Sequence, residues 1–129
     1  MIAHAREVAP RECCGLLIGS GDRIESAHRA RNLESSPARF LIDPQDHFAA
    51  IRAARAEGRQ VVGVYHSHPS TAASPSPSDL AEASYPEYAY AIVSLASNPP
   101  DVRLFRLEQG AFAEVPITEG RASSAPTEP

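Results

Sequence analysis

The run Val61-Val62-Gly63-Val64-Tyr65 is apolar, rich in β-branched residues, and ends directly in His66-Ser67-His68-Pro69. Such a run predicts a buried strand. Residues i and i+2 of a strand share a face, so this strand would present His66 and His68 side by side and turn Ser67 away. Two imidazoles placed that way predict a metal site, and the fold must then bring a third ligand to the end of the same strand. Asp79 is the candidate. A Pro/Ser-rich loop leads from the histidines to Ser76-Pro77-Ser78-Asp79, where Ser76 suits a helix N-cap and Pro77 the first helical position. Asp79 then falls at the third position, where its carboxylate meets the positive end of the helix dipole. A plain capping box ahead of Leu80-Ala81-Glu82-Ala83 explains these residues without a metal, and the two readings are compatible.

Elsewhere the pattern alternates helix and strand. Residues 1 to 9 predict a helix with Ile2, Ala5 and Val8 on one face, stopped by Pro10, with His4 as a helix-packing residue. Residues 13 to 18 form a short apolar run with Glu12 at its mouth and the turn Gly19-Ser20-Gly21-Asp22 at its end, which predicts a buried strand feeding a hairpin. The return strand, 23 to 30, alternates weakly and should be half exposed. A polar loop over 32 to 38 leads to a short strand at 40 to 42. Asp43-Pro44-Gln45-Asp46 repeats the capping logic and opens a helix that stops at Gly58, with Phe48, Ile51 and Ala54 inward and His47 facing solvent. After the break at Tyr85-Pro86-Glu87, residues 88 to 95 read as a central strand. Residues 102 to 105 and 111 to 117 pair about a turn at Gly110. Residues 118 to 129, rich in Ser, Ala, Pro and Glu, should be a disordered tail. This order is that of a single mixed α/β domain with helices packed on a central sheet.

At 129 residues the chain buries about two thirds of its unfolded surface without disulfide staples. Cys13 and Cys14 are its only cysteines; adjacent in a strand, they face opposite ways and read as buried small hydrophobes in a reducing cytosol. No second cysteine pair completes a Cys-based metal site. With a net charge of −4 and scattered arginines, nucleic acid is not the expected partner. No secretory or membrane-spanning apolar run is evident, so a soluble, cytoplasmic protein is expected.

The spacing His-x-His-x7-Ser-x2-Asp resembles the signature of the JAMM, or MPN-plus, zinc metalloproteases, and Pro10-Arg11-Glu12-Cys13-Cys14-Gly15-Leu16-Leu17-Ile18-Gly19 resembles a stretch of their small prokaryotic members. The resemblance covers residues 3 to 116, roughly the whole catalytic domain at 1 to 117. It implies an MPN (cytidine-deaminase-like) fold with a curved mixed sheet flanked by helices. It implies one Zn2+ per chain on His66, His68 and Asp79, Ser76 stabilising the tetrahedral intermediate, and Glu12 as general acid/base. It also implies an N-terminal strand ahead of His4 that this sequence does not show.

Two imidazoles and a carboxylate leave a fourth zinc position for water, the arrangement of a catalytic site. The implied reaction is hydrolysis of an amide bond after the C-terminal glycine of a ubiquitin-like or sulfur-carrier protein, such as removal of a cysteine or other adduct. Loops too short for the insertions of polyubiquitin-processing relatives suggest a substrate tail held along a sheet edge. An inactive MPN scaffold that only binds partners is the alternative, disfavoured because every ligand is present. A nucleobase deaminase would need His-x-Glu and Pro-Cys-x-x-Cys, which are absent.

Overall fold

The computed structural model describes residues 1–34 and 39–118, leaving aside the side chain of Glu82. Their elements run α1 (Ile2–Val8), β1 (Cys14–Ser20), β2 (Arg23–Ala30), α2 (Pro44–Ala56), β3 (Gln60–His68), α3 (Pro77–Glu82), β4 (Ala89–Ser94), β5 (Asp101–Glu108) and β6 (Ala111–Val115). The strands form one sheet in the order β2-β1-β3-β4-β5-β6. The β3–β4 pair is parallel and the other four pairs are antiparallel. A parallel pair cannot be joined by a tight turn, so a crossover must connect its strands, and α3 lies in that crossover. The histidines thus stand at the end of an interior strand, and the segment that returns to the sheet carries Asp79 back toward them.

Strand periodicity sorts the core into two layers. On one face Cys14, Leu16, Val64, Tyr90, Ile92 and Phe105 pack with Ala50 of α2. On the other Cys13, Leu17, Tyr65, Ala91 and Val93 pack with Ala5 of α1. Cys13 and Cys14 are free and buried on opposite faces, as their adjacency predicts. Leu16, Leu17, Ile92 and Val93 are fully buried, each stabilising the fold by about 1.5–3 kcal/mol. His66 and His68 lie on the face of Leu16 and Val64 by the same alternation, whereas Ser67 points to the other side and accepts a 2.8 Å bond from the Cys13 N–H. His4 is a packing residue, its Nδ1 2.8 Å from the Tyr65 hydroxyl.

Three expectations need correction. Residues 40 to 42 join no strand of the sheet; Ile42 makes an isolated bridge with Asn32, while Phe40 lies flat on the His66 ring. Phe48 does not face inward, being 62% exposed. The small Ala50 and Ala54 form the buried stripe of α2 instead and let the helix approach the sheet closely. His47, one position away, consequently turns inward against Tyr85 and Tyr88, with Nε2 3.2 Å from the Tyr88 hydroxyl. The expected tail falls almost wholly in residues 119–129, outside the described residues, as do residues 35–38 of the polar loop.

Candidate metal centre

β3 brings His66 Nε2 within 3.2 Å of His68 Nε2. Asp79 meets both, with Oδ1 3.1 Å from His66 Nε2 and Oδ2 3.0 Å from His68 Nε2. All three residues are buried. Donors arranged tetrahedrally around zinc at about 2.0–2.1 Å lie about 3.3 Å apart, so the observed separations fit such an ion. No other group of three or more His, Cys, Asp or Glu residues that could hold a metal occurs among the described residues.

Local chemistry fixes each donor. His68 Nδ1 lies 2.8 Å from the Ala72 carbonyl; a carbonyl only accepts, so Nδ1 carries a proton, and Nε2, which shares a proton with Asp79 Oδ2 at 3.0 Å, would turn its lone pair to an ion bound in its place. The Ser94 hydroxyl donates to the Thr71 carbonyl at 2.5 Å, tying the same loop to β4. Asp79 is set by a complete capping box: Ser76 Oγ accepts from the Asp79 N–H at 3.1 Å, and Asp79 Oδ2 accepts from the Ser76 N–H at 2.8 Å. The cap therefore also aims Asp79 at the two histidines. Burial alone would raise the Asp79 pKa, but hydrogen bonds from His66 and His68 outweigh it and hold the carboxyl far below the usual range. For His68, burial pushes the pKa down, while the bonds to Asp79 and Ala72 more than reverse it. His66 is dominated by burial and shifted down, which keeps a lone pair available. Its Nδ1 has no hydrogen-bond partner.

Glu12 sits just before β1, whose first residue, Cys14, lies opposite His66. It is 6% exposed, and its Oε1 has no hydrogen-bond partner. Burial, countered by His68 and reinforced by Asp79, raises its pKa to about 7. A carboxyl group poised near neutrality is suited to take up and return a proton.

One cleft opens on this centre, and a second is lined by Glu12 but by none of the three donors. The first, about 250 Å³, touches His66 and Asp79 and is walled largely by apolar and aromatic side chains, including Phe40, Val64, Tyr90, Ile92 and Phe112. The second includes Glu12, with Arg11, Arg31 and Asn32 at its wall and His4 and Cys13 behind.

Of the sequence-predicted residues, His66, His68, Asp79 and Ser76 are joined by direct contacts, and Glu12 lies within electrostatic reach of His68 and Asp79. Sequence reasoning missed Phe40, which stacks on His66 with centroids 4.3 Å apart and planes 16° apart. It also missed His47, Tyr85 and Tyr90 as cleft walls. Only the apolar character of the 40 to 42 segment hinted that it must cover something.

A family model described as prokaryotic homologs of the JAB domain matches residues 1–108. A desampylase of Haloferax volcanii is 36% identical over 111 residues, covering 81% of this chain and 76% of that one. A CysO-cysteine peptidase of Mycobacterium tuberculosis is 35% identical over 120 residues, covering 91% and 82%. The solution structure of a Desulfitobacterium hafniense protein matches with a TM-score of 0.82 at 37% identity, over 89% of this chain and 82% of that one. A JAB1/MPN domain protein from Archaeoglobus fulgidus matches with a TM-score of 0.52 at 22% identity, over 92% and 90%, a likeness of fold.

Proposed function

The chain belongs to the family of prokaryotic JAB-domain homologues, and from that premise and the geometry of the centre we propose that it is a zinc-dependent peptidase or isopeptidase. Its substrate is the amide bond after the C-terminal glycine of a ubiquitin-like or sulfur-carrier protein. The convergence of His66, His68 and Asp79 beside a buried, near-neutral Glu12 carries the reading. His66, His68 and Asp79 would hold one Zn2+ per chain, with water as the fourth ligand. Bound there, zinc would polarise the substrate carbonyl and lower the pKa of its water to about 7.

Glu12, outside the donor set, accepts a proton as the amide is attacked and returns it to the leaving amine. Ser76 Oγ already accepts from the Asp79 N–H and lies 3.1 Å from Ser78 Oγ. If Ser78 donates in that contact, the Ser76 hydrogen is free to meet the developing oxyanion. The general acid protonates the leaving amine, which places the leaving group on the Glu12 side and the acyl tail in the apolar cleft beside His66 and Asp79. In this reading the tail lies in the cleft beside His66 and Asp79 instead of along a sheet edge. Free buried cysteines favour a reducing, cytoplasmic setting. We assign the catalytic domain to residues 1–117 and the tail to 118–129.

The substrate test offers a sulfur-carrier protein ending in Gly-Gly-Cys beside one with bulky residues in place of the glycines, with products read by mass spectrometry. Cleavage of the first alone is expected. Equal cleavage of both, or of neither while an unrelated peptide is cut, would reject the glycine-tail substrate.

A further inference from the structure

The two histidines of the centre are held in different ways. His68 turns its second ring nitrogen to the Ala72 carbonyl, the usual arrangement for a ligating imidazole, whose other N–H ordinarily meets a carbonyl, a carboxylate or water. His66 has no such bond among the described residues; its Nδ1 is buried and unpartnered. What meets this ring instead is Phe40, stacked on it with centroids 4.3 Å apart and planes 16° apart. Phe40 belongs to no strand of the sheet, so its position needs another anchor, and Asn32 supplies one on both sides of it. The Asn32 amide nitrogen donates to the Arg39 carbonyl at 3.2 Å, and its Oδ1 accepts from the Leu41 N–H at 2.9 Å. The same side chain donates to the Glu12 carbonyl at 3.0 Å and accepts from the Glu34 N–H at 2.9 Å. Both amide hydrogens and both lone-pair sites of Asn32 are thus in use. The Leu33 N–H adds a 2.8 Å bond to the Leu41 carbonyl.

We propose that Phe40 is a positioning residue for the metal centre: its ring fixes the plane of the His66 imidazole and favours the metal-ligating imidazole over the free one. The inference rests on the metal-dependent reading given above and adds a residue that tunes the centre without ligating it. Phe40 takes the part at His66 that the Ala72 carbonyl takes at His68. An imidazole that gives its lone pair to a dication becomes electron-poor. The face of an aromatic ring is its negative side and attracts positive charge within about 6 Å of the centroid. Phe40, close and nearly parallel, meets that condition. An aliphatic side chain of similar bulk would cover His66 but offer no such face.

The test titrates the metal-free full chain with Zn2+ against a chromophoric chelator, and separately with Co2+, whose visible absorption bands report the geometry of its ligands. Phe40→Leu and Phe40→Met keep an apolar cover and remove the aromatic face, whereas Phe40→Tyr keeps the face. The attraction is worth roughly twofold to thirtyfold in affinity. Both aliphatic variants should therefore weaken zinc binding by that factor and shift the cobalt bands, and Phe40→Tyr should restore both readouts. If Phe40 served only as packing, the aliphatic variants would lower the melting temperature of the metal-free protein and leave both metal readouts as in the parent. That result, or a Phe40→Tyr protein as weak in zinc binding as Phe40→Leu, would overturn the proposal while leaving the metal centre standing. A parent that binds neither zinc nor cobalt would overturn the metal centre and the inference with it.

Discussion

A carboxyl group buried with an unpartnered oxygen favours its protonated form, and Glu12 with a pKa near 7 is in that position. Its pKa is higher folded than the ordinary value of about 4.5, so the folded state binds the extra proton. The stability it contributes is complete below about pH 4.5 and is lost as pH rises through about 7. Glu12→Gln removes that dependence. The metal-free variant should therefore gain stability over the parent across this window and hold the gain above it, as read from melting temperatures. The zinc-loaded variant should keep its metal while kcat falls about a hundredfold or more. An active variant, or one that sheds its metal, would remove Glu12 from the role of proton carrier. The cap that Ser76 forms and the oxyanion contact proposed for it separate by magnitude. Ser76→Ala should cost about 1 kcal/mol through the lost cap, yet lower kcat by about a hundredfold if its hydroxyl meets the oxyanion. A fall in kcat no larger than the stability loss implies would leave Ser76 as a cap alone.

Among the elements, β3 and the β3–β4 pairing set the position of the donors. A Cβ on Gly63 would collide with the Ala89 carbonyl oxygen of the neighbouring strand. Backbone cannot swing aside as a side chain can, so Gly63→Ala should destabilise the protein by about 1–3 kcal/mol and weaken metal retention by displacing β3 against β4. A fully stable, zinc-retaining variant would show that the pairing tolerates the shift. These elements were legible because their signals are local. A β-branched run, two histidines two residues apart and a Ser-Pro-x-Asp start need only strand and cap chemistry to be read. Helix α2 was legible in its ends and only partly in its face: Ala54 is buried as expected, but alanines carry little hydrophobic signal, so Phe48 drew the prediction inward where Ala50 occupies the contact.

Across the molecule, what the sequence concealed depends on contacts between distant segments. Glu12 gains its environment from the register that sets Cys14 against His66, and Phe40 gains its role by folding onto that same histidine. Neither pairing leaves a periodic trace, so Glu12 could be assigned only through the family pattern, and Phe40 was taken for a strand residue. The apolar cleft beside His66 and Asp79 likewise exists only once the sheet is assembled. All of this chemistry presupposes a metal. The most direct measurement is the zinc content of the purified protein by elemental analysis after reconstitution and removal of loose ions. About one zinc per chain is expected for the parent and for Glu12→Gln, and close to none for His66→Ala, His68→Ala or Asp79→Ala. A parent that retains no zinc, or alanine variants that retain as much as the parent, would contradict the account.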